Sequence, residues 1–359
     1  MSQSLSRTPG TTVVPLHKNP ASSASQPSTG TRRHGQANRL VDTRPLDRSE
    51  WLRVRQSGIG ASDAAAAVGL NPYQSKLALW MDKTGRDSED EPILDGTADS
   101  PVYWGNVLEP IVAEHYAKRT GFKVRRVNAV LQHPDRPWML ANLDRQVVGS
   151  DEVQILECKT AGLNGAKLWR DGVPHYVQLQ VMHQLAVTGQ QAADVAVLIA
   201  GQELRIYRLE RDEALIKRLI HLEHQFWALV ESDTPPDADG SESADRALRQ
   251  LYPQDNHAVV DFTEDLPLAR SFAQLQQLRT ELEAGHKEEA RLKQRLQHAM
   301  KEASEALFPT GRITWKRSAD RRSVDLEKLK SEHPDWVEQY QRVQPGSRRF
   351  LLHAQSTGS

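Results

Sequence analysis

Apolar residues are sparse over the first forty positions, where Ser, Thr, Pro and Gly dominate, so residues 1–40 are expected to be a disordered tail. Order is expected to begin near Asp47, where Trp51 and Leu52 open a helical stretch. Ser62-Asp63, the run Ala64-Ala65-Ala66-Ala67-Val68 and Gly69 then predict a cap, a short helix and a glycine stop. Ser75 is expected to cap a helix over 76–83, and the acidic, turn-rich run 85–100 reads as a loop. Helical spacing of Trp104, Leu108, Ile111 and Val112 predicts a helix ending at Gly121. Three strands follow, near 123–131, 137–148 and 153–160, the last two joined by a hairpin turn at Gly149-Ser150-Asp151. Pro174 starts a helix that runs to Gly189. Strands near 193–200 and 203–209 flank Gly201-Gln202, and an amphipathic helix over 212–231 closes the domain.

Beyond that point the pattern changes. A linker is expected over 234–260, then a charged helical hairpin or coiled coil over 261–307, with Leu268, Phe272, Leu275, Leu282, Leu292, Leu296 and Met300 as a broken stripe. A small basic α/β piece over 308–353 comes last, with strands at Ile313–Lys316 and Arg349–Leu352 and short helices near Leu326 and Trp336. Ten Lys/Arg stand against six Asp/Glu between Phe308 and His353, a surplus able to track DNA or dock a partner, though a plain solvated face explains it as well.

Composition narrows the function. With 359 residues, 38% hydrophobic and 26% charged, the chain suits a globular protein with ample core. A net charge of −1 means that any nucleic-acid binding must use a local basic channel. One cysteine excludes an internal disulfide and any multi-cysteine zinc or iron–sulfur site. No apolar run approaches the roughly 20 residues of a membrane span and no secretion signal opens the chain, so a cytoplasmic protein is expected.

The chemistry concentrates at Leu143-Asp144 and Ile155-Leu156-Glu157-Cys158-Lys159. Alternation along a strand points Glu157 and Lys159 one way and Cys158 the other. Val153 and Ile155 are expected on the Glu157 face and Leu156 on its back, which makes the strand central. A carboxylate and an ammonium there cost several kcal/mol unless paired or bound to metal. The hairpin would set Asp144 on the adjoining strand, within reach of the same point. Two hard oxygen donors suit magnesium, which keeps waters and accepts phosphate oxygens, while Lys159 would orient a water and offset charge: the apparatus of phosphodiester hydrolysis. A buried Glu–Lys ion pair with only a structural role satisfies the same triplet. In the helix after Pro174, Gln178 shares a face with Val181, Met182 and Leu185 and needs a partner, which backbone alone would also provide.

Several motifs in one order resemble the YqaJ-type phage recombinases, close to lambda exonuclease within the PD-(D/E)xK nuclease superfamily. They are Trp51-Leu52-Arg53-Val54-Arg55 with Gly58-Ile59-Gly60-Ala61-Ser62; Trp104-Gly105 with Leu108-Glu109; Leu143-Asp144 with Glu157-Cys158-Lys159; and Tyr176-Val177-Gln178-Leu179-Gln180 running into His183-Gln184-Leu185-Ala186-Val187-Thr188-Gly189. The resemblance covers about residues 47–232, and one departure is Leu143, where the superfamily name has proline. It implies an α/β fold with a mixed central sheet flanked by helices over 45–233, followed by a mainly helical extension. It further implies that Asp144, Glu157 and the backbone carbonyl of Cys158 bind Mg2+, for which Mn2+ could substitute. Lys159 would be the catalytic lysine, Glu109 an accessory acid and Gln178 a substrate or supporting contact. Arg55 and Ser62 match positions that hold a DNA 5′-phosphate, and Ser62 as a helix cap with Arg55 as a bidentate donor suits an anion. The expected activity is exonucleolytic hydrolysis of duplex DNA from ends, 5′ to 3′, for recombination with a single-strand annealing protein, in a homo-oligomer such as a trimeric ring. An endonuclease of the same chemistry, and a non-catalytic DNA-binding or scaffold protein, stand as alternatives.

Overall fold

The computed structural model describes residues 37–86, 100–343 and 346–353. Most of the expected tail and of the loop over 85–100 therefore lies outside the described residues. A boundary between Leu251 and Tyr252 divides the chain into two compact units.

The first unit opens with β1 (Asn38–Asp42), in a segment expected to be tail, and this strand pairs antiparallel with β3 (Ala129–His133). Helix α1 (Arg48–Gln56) starts where Asp47 accepts the Glu50 N–H while the Glu50 carboxylate accepts the Asp47 N–H, a reciprocal capping box. A 3-10 turn over Ala61–Asp63 leads into the short α2 (Ala64–Ala67), whose four alanines are all buried. Helix α3 (Lys76–Lys83) is capped by Ser75, as expected. Helix α4 (Pro101–Thr120) ends at Gly121 in the left-handed region. Its inward face carries Val112, Ala113 and Tyr116, while Trp104 and Ile111 are exposed. That face also contains Gly105 and Glu109, so the stripe read from Trp104 and Ile111 was rotated.

Two expected strands each split between sheets. Residues 123–131 form β2 (Lys123–Arg125) and β3, and residues 137–148 form β4 (Arg136–Ala141) and β5 (Arg145–Val148). β1, β3 and β4 make a three-stranded antiparallel sheet. The main sheet has the order β2-β5-β6-β7-β8, with β6 (Ile155–Ala161) at its centre, β7 (Ala192–Ile199) and β8 (Glu203–Glu210). β6 runs antiparallel to β5 and parallel to β7, so the sheet is mixed. The parallel crossover between them is α5 (His175–Thr188).

Each face of β6 is covered. Leu156 and Cys158 join Val112, Ala113 and Tyr116 of α4 in one apolar cluster; Ile155 and Ala161 join α5 in the other. Val153 belongs with the α4 cluster, not the Glu157 face, because it precedes the strand and does not continue its alternation. Burial on both sides explains the near-continuous apolar character of β6 and β7. Helix α6 (Glu213–Glu231) packs outside α5, and α7 (Glu242–Leu251) lies within the expected linker, where Ala244 and Ala247 are buried and α7 packs on α3. The α/β architecture with a mixed central sheet between helices is as expected.

In the second unit, α8 (Leu266–Met300) is one continuous helix of 35 residues and not a helical hairpin. It ends at Lys301, whose φ is 50°. An antiparallel hairpin follows, β9 (Glu305–Phe308) with β10 (Gly311–Thr314), then α9 (Leu326–Glu332) and α10 (Pro334–Gln339). β9 occupies the end of the segment expected to be helical, and the strand expected at Arg349–Leu352 does not form because no strand pairs with it. No described helix is long and apolar enough to cross a membrane.

Candidate active site

One cleft of about 410 Å³ gathers residues from four separate segments: Arg55 and Ser62, Glu109, Asp144, and Glu157-Cys158-Lys159. Gln180 of α5 lines it too. The main sheet delivers Glu157 and Lys159 on the α5 side of β6. Asp144 sits not on β5 but in the bend between β4 and β5, where the chain passes from one sheet to the other. There its Oδ2 accepts the Cys158 backbone N–H at 2.8 Å, which ties the bend directly to β6.

Glu157 is 2% exposed, and its carboxylate is surrounded by donors. Lys159 Nζ lies 2.7 Å from Oε1, Gln180 Nε2 donates to Oε1 at 2.6 Å, and Gln184 Nε2 donates to Oε2 at 2.7 Å. Gln180 Oε1 in turn accepts from Lys159 Nζ at 2.9 Å, closing a three-membered ring of contacts. Gln180 and Gln184 are four residues apart, so one face of α5 reaches over Glu157 from above. The glutamine singled out from the sequence does none of this: Gln178 Nε2 donates to the Val173 carbonyl at 2.6 Å and merely secures the start of α5. The signal that identifies the right pair is the four-residue spacing of two amides on an otherwise apolar helix.

Burial and the adjacent Glu157 carboxylate push the Asp144 carboxyl up to about 8, against the pull of Lys159 and the Cys158 N–H. For Lys159, burial works against the ammonium, but the Glu157 and Asp144 carboxylates outweigh it and hold its pKa above the ordinary value. Burial, then Asp144 and Glu157, drive the Cys158 thiol far up, so it is no nucleophile. Two carboxylates stand here beside one ammonium, and the rise at Asp144 comes first from burial and then from the Glu157 charge. Among the described residues no group of three His, Cys, Asp or Glu side chains is placed to hold a metal ion, so the groups here that could hold a cation are the Asp144 and Glu157 carboxylates. Glu109 reaches the cleft but is held by the Arg145 guanidinium, which also donates to the Asp144 carbonyl at 2.5 Å.

At the other end of the cleft, Arg55 and Ser62 come together: Arg55 Nη2 donates to Ser62 Oγ at 3.3 Å. Ser62 is not a helix cap: it lies inside the 3-10 turn, whose N-cap is Gly60, and it is Asp63, at the third position of that turn, that accepts the Gly60 N–H at 3.0 Å. Asp63 also receives Arg55 Nη2 at 2.7 Å and the fully buried Lys83 Nζ at 2.7 Å. Lys83 Nζ donates further to the Arg55 carbonyl at 3.0 Å. Burial alone would raise the Asp63 carboxyl; Lys83 and Arg55 reverse this and hold it well below the usual range. Lys83 Nζ also lies 3.4 Å from Asp82 Oδ2, so at this end Arg55 and Lys83 are balanced by Asp63 and Asp82, and Arg55 is the cation with a partly exposed side chain. The Arg55 guanidinium stacks on the Trp51 ring, 4.9 Å from its centroid. The whole segment is fastened to β4 by main-chain bonds from Ile59 N–H to the Trp138 carbonyl (2.7 Å) and from Leu140 N–H to the Ile59 carbonyl (2.9 Å). Gly58 permits this close approach, since a Cβ there would lie 2.6 Å from the Trp138 carbonyl oxygen.

Comparison with known proteins gives the following. The family model of the YqaJ-like viral recombinase domain matches residues 50–191. The uncharacterized protein YqaJ of Bacillus subtilis (strain 168) is 35% identical over 317 residues, covering 87% of this chain and 96% of the relative. The uncharacterized protein R354 of Acanthamoeba polyphaga mimivirus is 27% identical over 161 residues, covering 40% of this chain and 27% of that protein. Among solved structures, an alkaline exonuclease (LHK-Exo) from Laribacter hongkongensis superposes with a TM-score of 0.43 at 23% identity, over 57% of this chain and 100% of that one. The domain match and the near full-length likeness to the Bacillus protein establish that the chain belongs to the YqaJ-like viral recombinase family.

Proposed function

We propose that this protein is a magnesium-dependent nuclease of the PD-(D/E)xK type that hydrolyses duplex DNA from its ends, 5′ to 3′. The observation that carries the proposal is the cleft lined both by Asp144, Glu157 and Lys159 and by Arg55 and Ser62. An acidic site and a partly exposed guanidinium beside a hydroxyl, opening on the same space, fit a cation-bound scissile phosphate and a terminal phosphate.

Asp144, Glu157 and the Cys158 carbonyl would hold Mg2+, and Mn2+ could replace it. The bound cation would supply Lewis acidity for phosphodiester hydrolysis. Lys159, fixed on Glu157 Oε1 and Gln180 Oε1, keeps its ammonium beside the carboxylates, where it can orient a water and offset charge on the phosphate. Gln180 and Gln184 hold the Glu157 carboxylate by both oxygens, which fixes its orientation before any ligand arrives. Glu109 lines the cleft, and its pair with Arg145 braces the bend that carries Asp144, beside which it would serve as an accessory acid. Arg55 and Ser62 would grip the 5′-phosphate, with Asp63 and Lys83 as positioning residues behind them. The single strand left by such digestion suits annealing-based phage recombination in the cytoplasm of a bacterial host, with a single-strand annealing protein as partner. A ring of copies around the duplex would keep the enzyme on its substrate.

The test gives linear duplexes with 5′-phosphate or 5′-hydroxyl ends, and closed circles, to wild type and Lys159→Ala in magnesium. Degradation of linear DNA by wild type, its loss in the variant with folding retained, and slower attack on 5′-hydroxyl ends are expected. Equal degradation by both proteins rejects the assigned site. Cutting of closed circles assigns an endonuclease, and absence of any cleavage by the wild type leaves a DNA-binding or scaffold protein.

A further inference from the structure

The long helix of the second unit carries an apolar seam that is largely exposed, with Leu275 and Leu296 half-buried. Leu268, Leu275, Leu282 and Leu296 fall on one heptad position, a, and Leu278 and Leu292 fall on the matching d. Leu268, Leu278, Leu282 and Leu292 are 45%, 50%, 51% and 45% exposed, which leaves about half of each open to water. A helix of 35 residues is roughly 50 Å long, and one that exposes such a row is incomplete alone.

The flanking charges say what completes it. With a at 268, the g positions are Gln274, Glu281, Glu288 and Arg295, and the e positions are Phe272, Arg279, His286, Lys293 and Met300. In a parallel, in-register pair each g reaches the e five residues further along the other strand. That gives Gln274 to Arg279, Glu281 to His286 and Glu288 to Lys293, with no like-charged contact. An antiparallel pair sets g against g and e against e, bringing Glu281 onto Glu288 and the basic residues onto one another. Glu288 already holds Arg291 of its own helix at 2.6 Å, an exposed pair too weak to exclude the cross-strand contact. We propose that α8 binds the α8 of a second copy of this chain as a parallel, in-register coiled coil.

Ser271 occupies the first d position, and two residues interrupt the centre of the seam. Gly285 occupies a d position, with nothing within 4 Å of where its Cβ would stand, and Glu289 occupies the next a, held by Lys293 of its own helix at 2.7 Å. In the parallel pair Glu289 meets its own counterpart, so the centre of the seam is weak. A polar a residue of this kind fixes register at a cost in stability. Filling the gap should therefore tighten the assembly.

The experiment uses the full chain with Leu275→Cys or Leu292→Cys and a short bis-maleimide; the native Cys158 is buried, and wild type is the control. Each variant alone should give covalent dimers well above the wild-type background. Adding Leu278→Glu with Leu282→Glu should reduce that yield at least tenfold, and adding Gly285→Leu with Glu289→Leu should preserve dimers at tenfold lower protein concentration. This yield reports on α8 alone, whatever the first unit does. Dimers that appear only when the two cysteine variants are mixed would indicate antiparallel helices and overturn the proposal. Background yield from each variant, or a yield indifferent to the glutamates, overturns it as well.

Discussion

Substituting Asp63 with alanine takes from Lys83, whose side chain is 0% exposed, the nearer of its two carboxylates, at 2.7 Å. Arg55, 30% exposed, can turn toward water, and the loss of its exposed half-pair costs about 0–1 kcal/mol. Lys83 keeps only Asp82, 3.4 Å away and 27% exposed, which offsets part of the loss. Breaking a buried pair by removing one partner costs about 3–5 kcal/mol, a large share of the roughly 5–15 kcal/mol that holds a domain folded. With a urea slope of about 2 kcal/mol per molar, the unfolding midpoint should fall by roughly 2 M. Asp63→Ala combined with Lys83→Met removes both charges, and should recover at least 2 kcal/mol relative to the sum of the single changes. Urea unfolding of the four proteins, followed by tryptophan fluorescence, reads this coupling. The pH dependence has a definite sign. The folded Asp63 carboxyl lies below its unfolded value of about 3.9, so its stabilisation is present above that pH and drains away as pH falls below it. A coupling under about 0.5 kcal/mol, or an Asp63→Ala midpoint close to wild type, would refute the reasoning.

Other outcomes follow from the same contacts. Gln184→Leu keeps the bulk of a fully buried side chain but takes the donor from Glu157 Oε2, so turnover should fall about 10–100-fold with modest loss of magnesium affinity, measured by titration of activity. Without divalent cation, the raised Asp144 carboxyl makes the fold less stable as pH climbs from about 4 toward 8, because the native state binds the extra proton; magnesium should erase this slope in thermal melts across that range. Gly58→Ala forces a Cβ to 2.6 Å from the Trp138 carbonyl and 2.8 Å from Leu140 Cγ, and should cost about 1–3 kcal/mol by chemical denaturation while weakening discrimination of 5′-phosphate ends.

Periodicity revealed the elements that are buried on a regular face. β6, α5, β7, β8 and α6 lie within a few residues of where the pattern puts them. It could not show changes of sheet. The apolar pattern runs on through Asn142-Leu143-Asp144, so the bend that carries Asp144 looks like strand, although it is where β4 leaves one sheet and β5 enters another. β1, with its exposed start, has too little apolar character to stand out from a polar tail. α7 buries only Ala244 and Ala247, small side chains hidden in an acidic run. At the site, the order of the motifs named the acids, the lysine and Arg55 with Ser62, while spacing alone misjudged the amides. Gln178 and Gln180 are two residues apart and so point to different sides of α5, and only the position of β6 beneath the helix decides between them. Ser62 illustrates the same limit, since the turn starts at Gly60 and the neighbouring Asp63 accepts the Gly60 N–H.

Ile59 engages β4 through both of its peptide groups, so the two ends of the cleft are separated by backbone and not by side-chain rotamers. Such a span behaves as a ruler. If a strand terminus rests against Arg55, the bond presented to Asp144 is counted off by the skeleton of the protein, and side-chain changes alter how fast that bond is cut without altering which one it is.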